Sequence, residues 1–131
     1  MKSQSSHPFW ASMPIIRNLI LLGCTNEQEI SAVCEAANIV PNDLNNLEIK
    51  VPLESKIAVL KKLLELTGDK DLGLHLGEKA APPMLGQAGH LQQSSKDVLT
   101  AFKKTFYFSR TFTAVYDSYI EERNGEAWLY Y

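Results

Sequence analysis

Between Leu66 and Leu99 the chain reads LTGDKDLGLHLGEKAAPPMLGQAGHLQQSSKDVL. Glycine, proline and small polar residues recur every few positions, so only short helices can form there, up to about three turns each. Gly68 is the natural C-cap of whatever helix precedes it. Asp69 can cap a short helix to about Glu78, with Leu72, Leu74 and Leu76 as its apolar contacts. Pro82-Pro83 breaks the chain, because a residue before proline is pushed out of the helical region. A further helix is predicted over Met84–Gln93. Ser94 and Asp97 have the spacing of a capping box and open a long helix to about Phe112, with Val98, Leu99, Phe102, Phe106 and Ser109 on its core stripe.

Upstream, residues 1–7 are polar and read as loose. A helix is predicted from Phe9 to Leu22, stopping at Gly23. Thr25-Asn26-Glu27-Gln28 then spells a capping box, with Thr25 accepting from the Gln28 backbone. The next helix carries Ile30, Val33, Cys34 and Ala37 on one face and ends at Asn38. Pro41–Leu47 is predicted as a turn or a single helical turn. Pro52 suits the first turn of a helix, where its missing N–H costs nothing. Leu53, Ile57, Leu60 and Leu64 repeat at helical spacing there, with Glu54, Lys61, Lys62 and Glu65 on the wet side.

Near the C-terminus the period changes. Ala114, Tyr116, Ser118 and Ile120 alternate with Val115, Asp117, Tyr119 and Glu121, which is the rhythm of a strand. Asn124-Gly125 is a strong hairpin signal, since both residues tolerate positive φ. Glu126–Tyr131 is the returning strand, with Ala127, Leu129 and Tyr131 on one face and Trp128 and Tyr130 on the other. The expected fold is therefore α+β: a bundle-like helical region over 8–112, then the start of an antiparallel or mixed sheet over 113–131. A lone hairpin is marginal. The chain is accordingly read as part of a longer protein, or as one that completes its sheet with a partner.

The 131 residues suit one domain, with 45% hydrophobic and 21% charged side chains. A net charge of −2 leaves no electrostatic footprint for nucleic acid on the chain as a whole. Cys24 and Cys34 are too few for a secreted disulfide framework; buried free thiols are expected, with a disulfide or metal pair as the alternative. Pro14–Cys24 is apolar but shorter than the roughly 20 residues a membrane span needs. No signal peptide is legible, so a cytoplasmic protein without membrane attachment is expected.

No catalytic arrangement is visible, and a non-enzyme is expected. Glu121 and Glu122 are consecutive in a strand and point to opposite faces. Ser94, Ser95 and Ser109 lack a nucleophile-elbow context, and the glycines are too widely spaced for a phosphate loop. His7, His75 and His90 make no zinc signature. One histidine is chemically enough for an axial haem ligand, but nothing else calls for a cofactor, and none is expected. The dense aromatics from Phe102 to Tyr131 cannot all share one buried face. Some suit an apolar pocket with hydroxyl handles, others an interface. Arg110 could pair with an anion or extend to water. The candidate ligand contacts are His90, Tyr107, Arg110, Tyr116 and Trp128.

Val51-Pro52-Leu53, Leu66-Thr67-Gly68-Asp69, Leu72-Gly73-Leu74-His75-Leu76-Gly77, Leu85-Gly86, Gly89-His90 and Ser95 follow one another in an order that carries a resemblance. With an aromatic at Phe106 or Tyr107, the chain resembles, over about residues 14–131, the N-terminal effector-binding (arabinose-binding-like) region of AraC-type transcriptional regulators. The subgroup it resembles is the one found beside ornithine-utilisation regulators. His90 departs from the pattern, standing where a tyrosine or other bulky residue is common, and Pro82-Pro83 makes the preceding loop stiffer. The resemblance implies a sensor with a helical front end and a sheet. A small-molecule effector and a homodimer are its expected partners, and DNA is contacted only through C-terminal helix-turn-helix units that this chain does not contain. The alternative is a stand-alone interaction domain whose hairpin edge pairs with another chain.

Overall fold

The first helix begins four residues later than its apolar spacing suggests. In the computed structural model, which describes residues 9–85, 87–109 and 118–130, Trp10–Ser12 forms a short strand, β1, instead of a helical turn. It pairs antiparallel with β2, Lys50–Pro52, placing Ala11 opposite Val51. Both of these residues are buried. The pairing extends past the strands: the Met13 N–H donates to the Ile49 carbonyl at 2.9 Å and the Leu53 N–H to the Phe9 carbonyl at 3.3 Å. Helix α1, Met13–Gly23, then starts with Pro14 in its first turn, where no donor is lost.

Helix α2, Glu27–Ala36, is capped one residue later than the Thr25–Gln28 box predicts. Asn26 Oδ1 accepts the Glu29 N–H at 2.9 Å. The Glu29 carboxylate in turn accepts the Thr25 N–H at 2.7 Å and the Thr25 hydroxyl at 3.0 Å. Those bonds hold Glu29 below the usual carboxylate value. Asn38 ends the helix, as expected, with φ of 54°. The Asn38 and Ile39 N–H groups close back onto the Glu35 and Cys34 carbonyls, a Schellman turn with asparagine in the left-handed position. A 3-10 turn, Pro41–Asn45, leads to β2.

Helix α3, Leu53–Thr67, stops at Gly68 with φ of 62°. Its fully buried residues are Val59 and Leu63, while Ile57 and Leu64 are exposed. The predicted stripe was thus rotated on the helix. Leucines and other apolar residues occupy a wide arc of α3, and the docking of α1 and α2 selects which part is covered. Helix α4, Leu72–Lys79, buries Leu72 and Leu76. Leu74 is 71% exposed, contrary to expectation, because a residue two positions on points to the opposite side of a helix. The buried cluster runs from Ala11 through Met13, Ile16 and Ile20 of α1, Val33 and Cys34 of α2 and Val59 and Leu63 of α3 to Leu76.

The expected Met84–Gln93 helix is split. A 3-10 turn covers Pro82–Leu85, and helix α5 is Gln87–Gln93. Ser94 and Ser95 hydroxyls donate to the Leu91 carbonyl at the end of α5. Helix α6, Val98–Ser109, is capped by Asp97 itself, whose Oδ1 accepts the Thr100 N–H at 2.7 Å. The stripe predicted for α6 is covered only in part: Leu99 and Phe106 are half-buried, Phe102 is exposed and Val98 is 71% exposed. The predicted extension to Phe112 and the strand start at Ala114 lie outside the described residues. Strands β3, Tyr119–Arg123, and β4, Glu126–Tyr130, form the expected hairpin. Tyr119 pairs with Tyr130 and their rings stack at 4.6 Å. Lys103 of α6 pairs with Glu122, tying the hairpin to the helix.

Helices at the front and an antiparallel hairpin at the end make the fold α+β, as read from the sequence. The second small sheet, β1–β2, was not anticipated. At the hairpin turn Asn124 and Gly125 have φ of 53° and 80°, the type I′ geometry that suits the strand twist. Gly125→Ala is expected to destabilise the hairpin by about 1–2 kcal/mol, since a Cβ at positive φ is strained. Amide exchange in Tyr119–Tyr130 should speed up while that of Leu63 and Val33 is unchanged. Equal speeding in both groups would show that the turn serves the whole core.

Candidate functional site

Two helix faces with the same rhythm meet to form a cavity. On α1, Ile15, Asn18, Leu19 and Leu22 recur at i, i+3, i+4 and i+7, which aligns them on one side of a helix. This side is distinct from the Met13, Ile16 and Ile20 side that enters the core. On α4, Gly73, Leu76 and Gly77 recur at i, i+3 and i+4, Ala80 just past the helix end follows at i+7, and Leu60 of α3 and Met84 complete the wall. The space is about 290 Å³ and is half open, with Gly73, Gly77 and Ala80 exposed along its α4 side. Its wall is almost wholly apolar. Among the described lining residues Asn18 is the one polar side chain, and its Nδ2 donates to the Met84 carbonyl at 2.5 Å, joining α1 to the turn that follows α4. Such a wall can desolvate and hold a small apolar molecule. It offers no group able to act as a nucleophile or to exchange a proton near neutral pH.

Three of the residues singled out in the sequence are described, and they lie elsewhere. His90 is exposed on α5. Tyr107 is 79% exposed on α6, its ring edge-on to Phe108 with centroids 5.0 Å apart. Trp128 is 50% exposed on β4. None of these three lines the cavity. Arg110 and Tyr116 lie outside the described residues. The Gly73–Gly77 spacing in LGLHLG was the available signal for the cavity. By itself a glycine pair says nothing about what faces it.

The family described as the arabinose-binding domain of AraC transcription regulators, N-terminal, matches residues 28–131. The chain belongs to this family. No curated protein and no solved structure gives a significant match. The AraC-domain match takes in α3, α4 and Met84, but α1 precedes it. One wall of the cavity, including Asn18, therefore precedes the matched residues.

Other chemistry in this AraC-type domain is structural. Cys24 and Cys34 are free thiols. Burial, followed by the Glu29 charge, pushes Cys24 up to about 11, and burial also raises Cys34, so both stay protonated and weakly nucleophilic. Among the described residues no group of three histidine, cysteine or acidic side chains could hold a metal ion. No described helix is long and apolar enough to cross a membrane.

Beside the cavity wall, at the start of α4, His75 Nδ1 lies 2.6 Å from Asp69 Oδ2, and the Asp71 N–H donates to Asp69 Oδ1 at 2.9 Å. The hydrogen bond to Asp69, then its charge, raises the His75 pKa; the bond from His75 is the largest cause lowering that of Asp69. His75 thus contributes stability that is complete below its ordinary value of 6.5 and is lost as pH rises through the raised value. Asp69 contributes stability that is present above 3.8 and is lost as pH falls through its lowered value. Asp69→Asn keeps an acceptor for Asp71 and removes the charge. Its melting-temperature deficit should be largest between pH 4 and 6.5 and should shrink above the raised histidine value; a deficit independent of pH would refute the pair.

Proposed function

We propose that this chain is the effector-sensing module of an AraC-type transcription regulator, and that its effector occupies the cavity between α1, α3 and α4. The observation that carries the reading is the position of that cavity. It is walled by helices from two separate parts of the chain, so a molecule inside it favours one spacing of α1 against α4 over another. A ligand with such differential affinity shifts the population of the two arrangements. Helix-turn-helix units elsewhere in the full-length regulator then report the shift on DNA, working in the cytoplasm. Membership of the ornithine-utilisation-like subgroup is proposed from the motif order alone. Of the sequence candidates, His90, Arg110 and Tyr116 are proposed as contacts of a ligand separate from the occupant of the cavity, and Tyr107 and Trp128 as part of a homodimer surface.

The test starts with native mass spectrometry of the full-length protein purified from its own cells. An added small mass, released on unfolding, is expected, and protein stripped of that mass should bind its operator with altered affinity. Identical operator affinity before and after stripping would overturn the sensor reading. A second reading, an interaction module without a ligand, is favoured by the exposed Val98, Tyr107, Trp128 and Leu129 on α6 and the hairpin. A ligand-free dimer that survives dilution and is lost in Trp128→Ser would support it.

A further inference from the structure

The sensor reading leaves the effector's chemistry open, and the cavity narrows it. Resting on that reading, we infer that the effector is a compact, uncharged and largely apolar molecule with a single polar end, and not a sugar. Three observations lead there.

The first is the wall. Nine of the ten residues lining the cavity are apolar or glycine, and the tenth, Asn18, already donates to the Met84 carbonyl. A pentose carries several hydroxyl groups, and each one buried here without a partner would count against binding. Among the described lining residues there is no lysine, arginine or histidine, so from them a carboxylate or phosphate would receive no counter-charge. The Asn18 carboxamide can accommodate one neutral hydroxyl or carbonyl.

The second is the pair of glycines. A Cβ built on Gly73 or on Gly77 would meet no heavy atom within 4 Å. No neighbouring protein atom therefore requires glycine at either place. Glycine is also among the poorest helix formers, and here two stand in a helix of eight residues. Both line the cavity. What their missing side chains provide is room next to α1.

The third is size. At about 290 Å³ the space is roughly twice the engineered 150 Å³ cavity that takes up benzene. Two fused rings, or an alkyl chain of roughly ten carbons, fill a space of that scale.

The experiment is isothermal titration of the full-length protein with 1-naphthol, L-arabinose and 1-naphthoate, repeated on Gly73→Leu. 1-Naphthol is expected to bind at least tenfold more tightly than either of the others. Gly73→Leu should weaken it at least tenfold while the melting temperature holds or rises, because leucine is the better helix former and its Cβ meets open space. If that variant does not fold, Gly77→Ala is the milder replacement, and a loss of about threefold is expected from its smaller volume. Tighter binding of arabinose or of naphthoate overturns the proposed chemistry. Unchanged naphthol affinity in a folded glycine variant overturns the site. If the mass carried from cells alters operator binding but naphthol does not compete with it, sensing stands and the apolar effector falls. If naphthol binds in the cavity and operator affinity never responds, the ligand class stands and the sensor reading falls.

Discussion

Leu63→Ala is expected to cost about 3–4 kcal/mol, the largest loss from any single truncation of α3. Leu63 is fully buried on the side of α3 that faces Gly23 of α1. Its Cδ2 lies 2.8 Å from where a Cβ on Gly23 would sit, with Cδ1 at 3.0 Å. The last turn of α1 therefore approaches α3 closely enough that one side chain fills the space of two. Truncating it leaves a void at the crossing that rigid helices cannot close, and the cost combines lost transfer energy with the cavity itself. The same contact sets the sign of a second substitution. Gly23→Ala should be destabilising by about 1–2 kcal/mol although alanine is the better helix former, because the buried Leu63 has nowhere to retreat. Combined, the two should be less damaging than their sum, since removing Leu63 makes room for the new methyl group. Urea denaturation of the four proteins checks this, and additive costs would mean that the helices separate freely at that point.

Ala11→Asp is expected to cost a similar amount, about 3–5 kcal/mol, because it places an unpaired carboxylate in the core. Ala11 is 0% exposed in a strand of only three residues. Against a typical domain stability of about 5–15 kcal/mol, such a loss removes a large part of the whole. Phe9→Asp, just outside the strand and exposed, should stay within about 1 kcal/mol of the parent. Equal tolerance of aspartate at both positions would show that β1 is not part of the core.

The β1–β2 pair also shows where local reading fails. Each strand has three residues, and they are separated by two helices and a 3-10 turn. Neither segment is long enough to display alternation, and Phe9–Ser12 runs into an apolar stretch that fits a helical period equally well. Only the partner strand supplies the hydrogen bonds that make the extended form preferable. The C-terminal hairpin is the contrasting case. It was legible because Asn124-Gly125 sets its own backbone angles and the strands on either side are adjacent in the chain.

The candidate site divides in the same way. Each of its helix faces has its spacing written in the sequence, Ile15/Asn18/Leu19/Leu22 on one and Gly73/Leu76/Gly77/Ala80 on the other. Their meeting is not written there, because some fifty residues intervene between Leu22 and Gly73. The chemistry of His90, Tyr107 and Trp128 is legible in the sequence, but their placement away from that wall is not.

The sequence by itself determined the positions at which the backbone must turn, stop or be capped. Gly68, Asn38, Asp97, Pro82 and Asn124-Gly125 act through dihedral preferences and hydrogen bonds that span no more than a few residues. It also determined family membership, since ordered motifs survive without knowledge of their contacts. Tertiary structure decided which arc of α3 is buried, that Trp10–Ser12 is a strand, and that two glycines face open space. Those outcomes depend on which distant surface arrives to exclude water or supply a hydrogen-bond partner, and apolar periodicity alone does not name that surface.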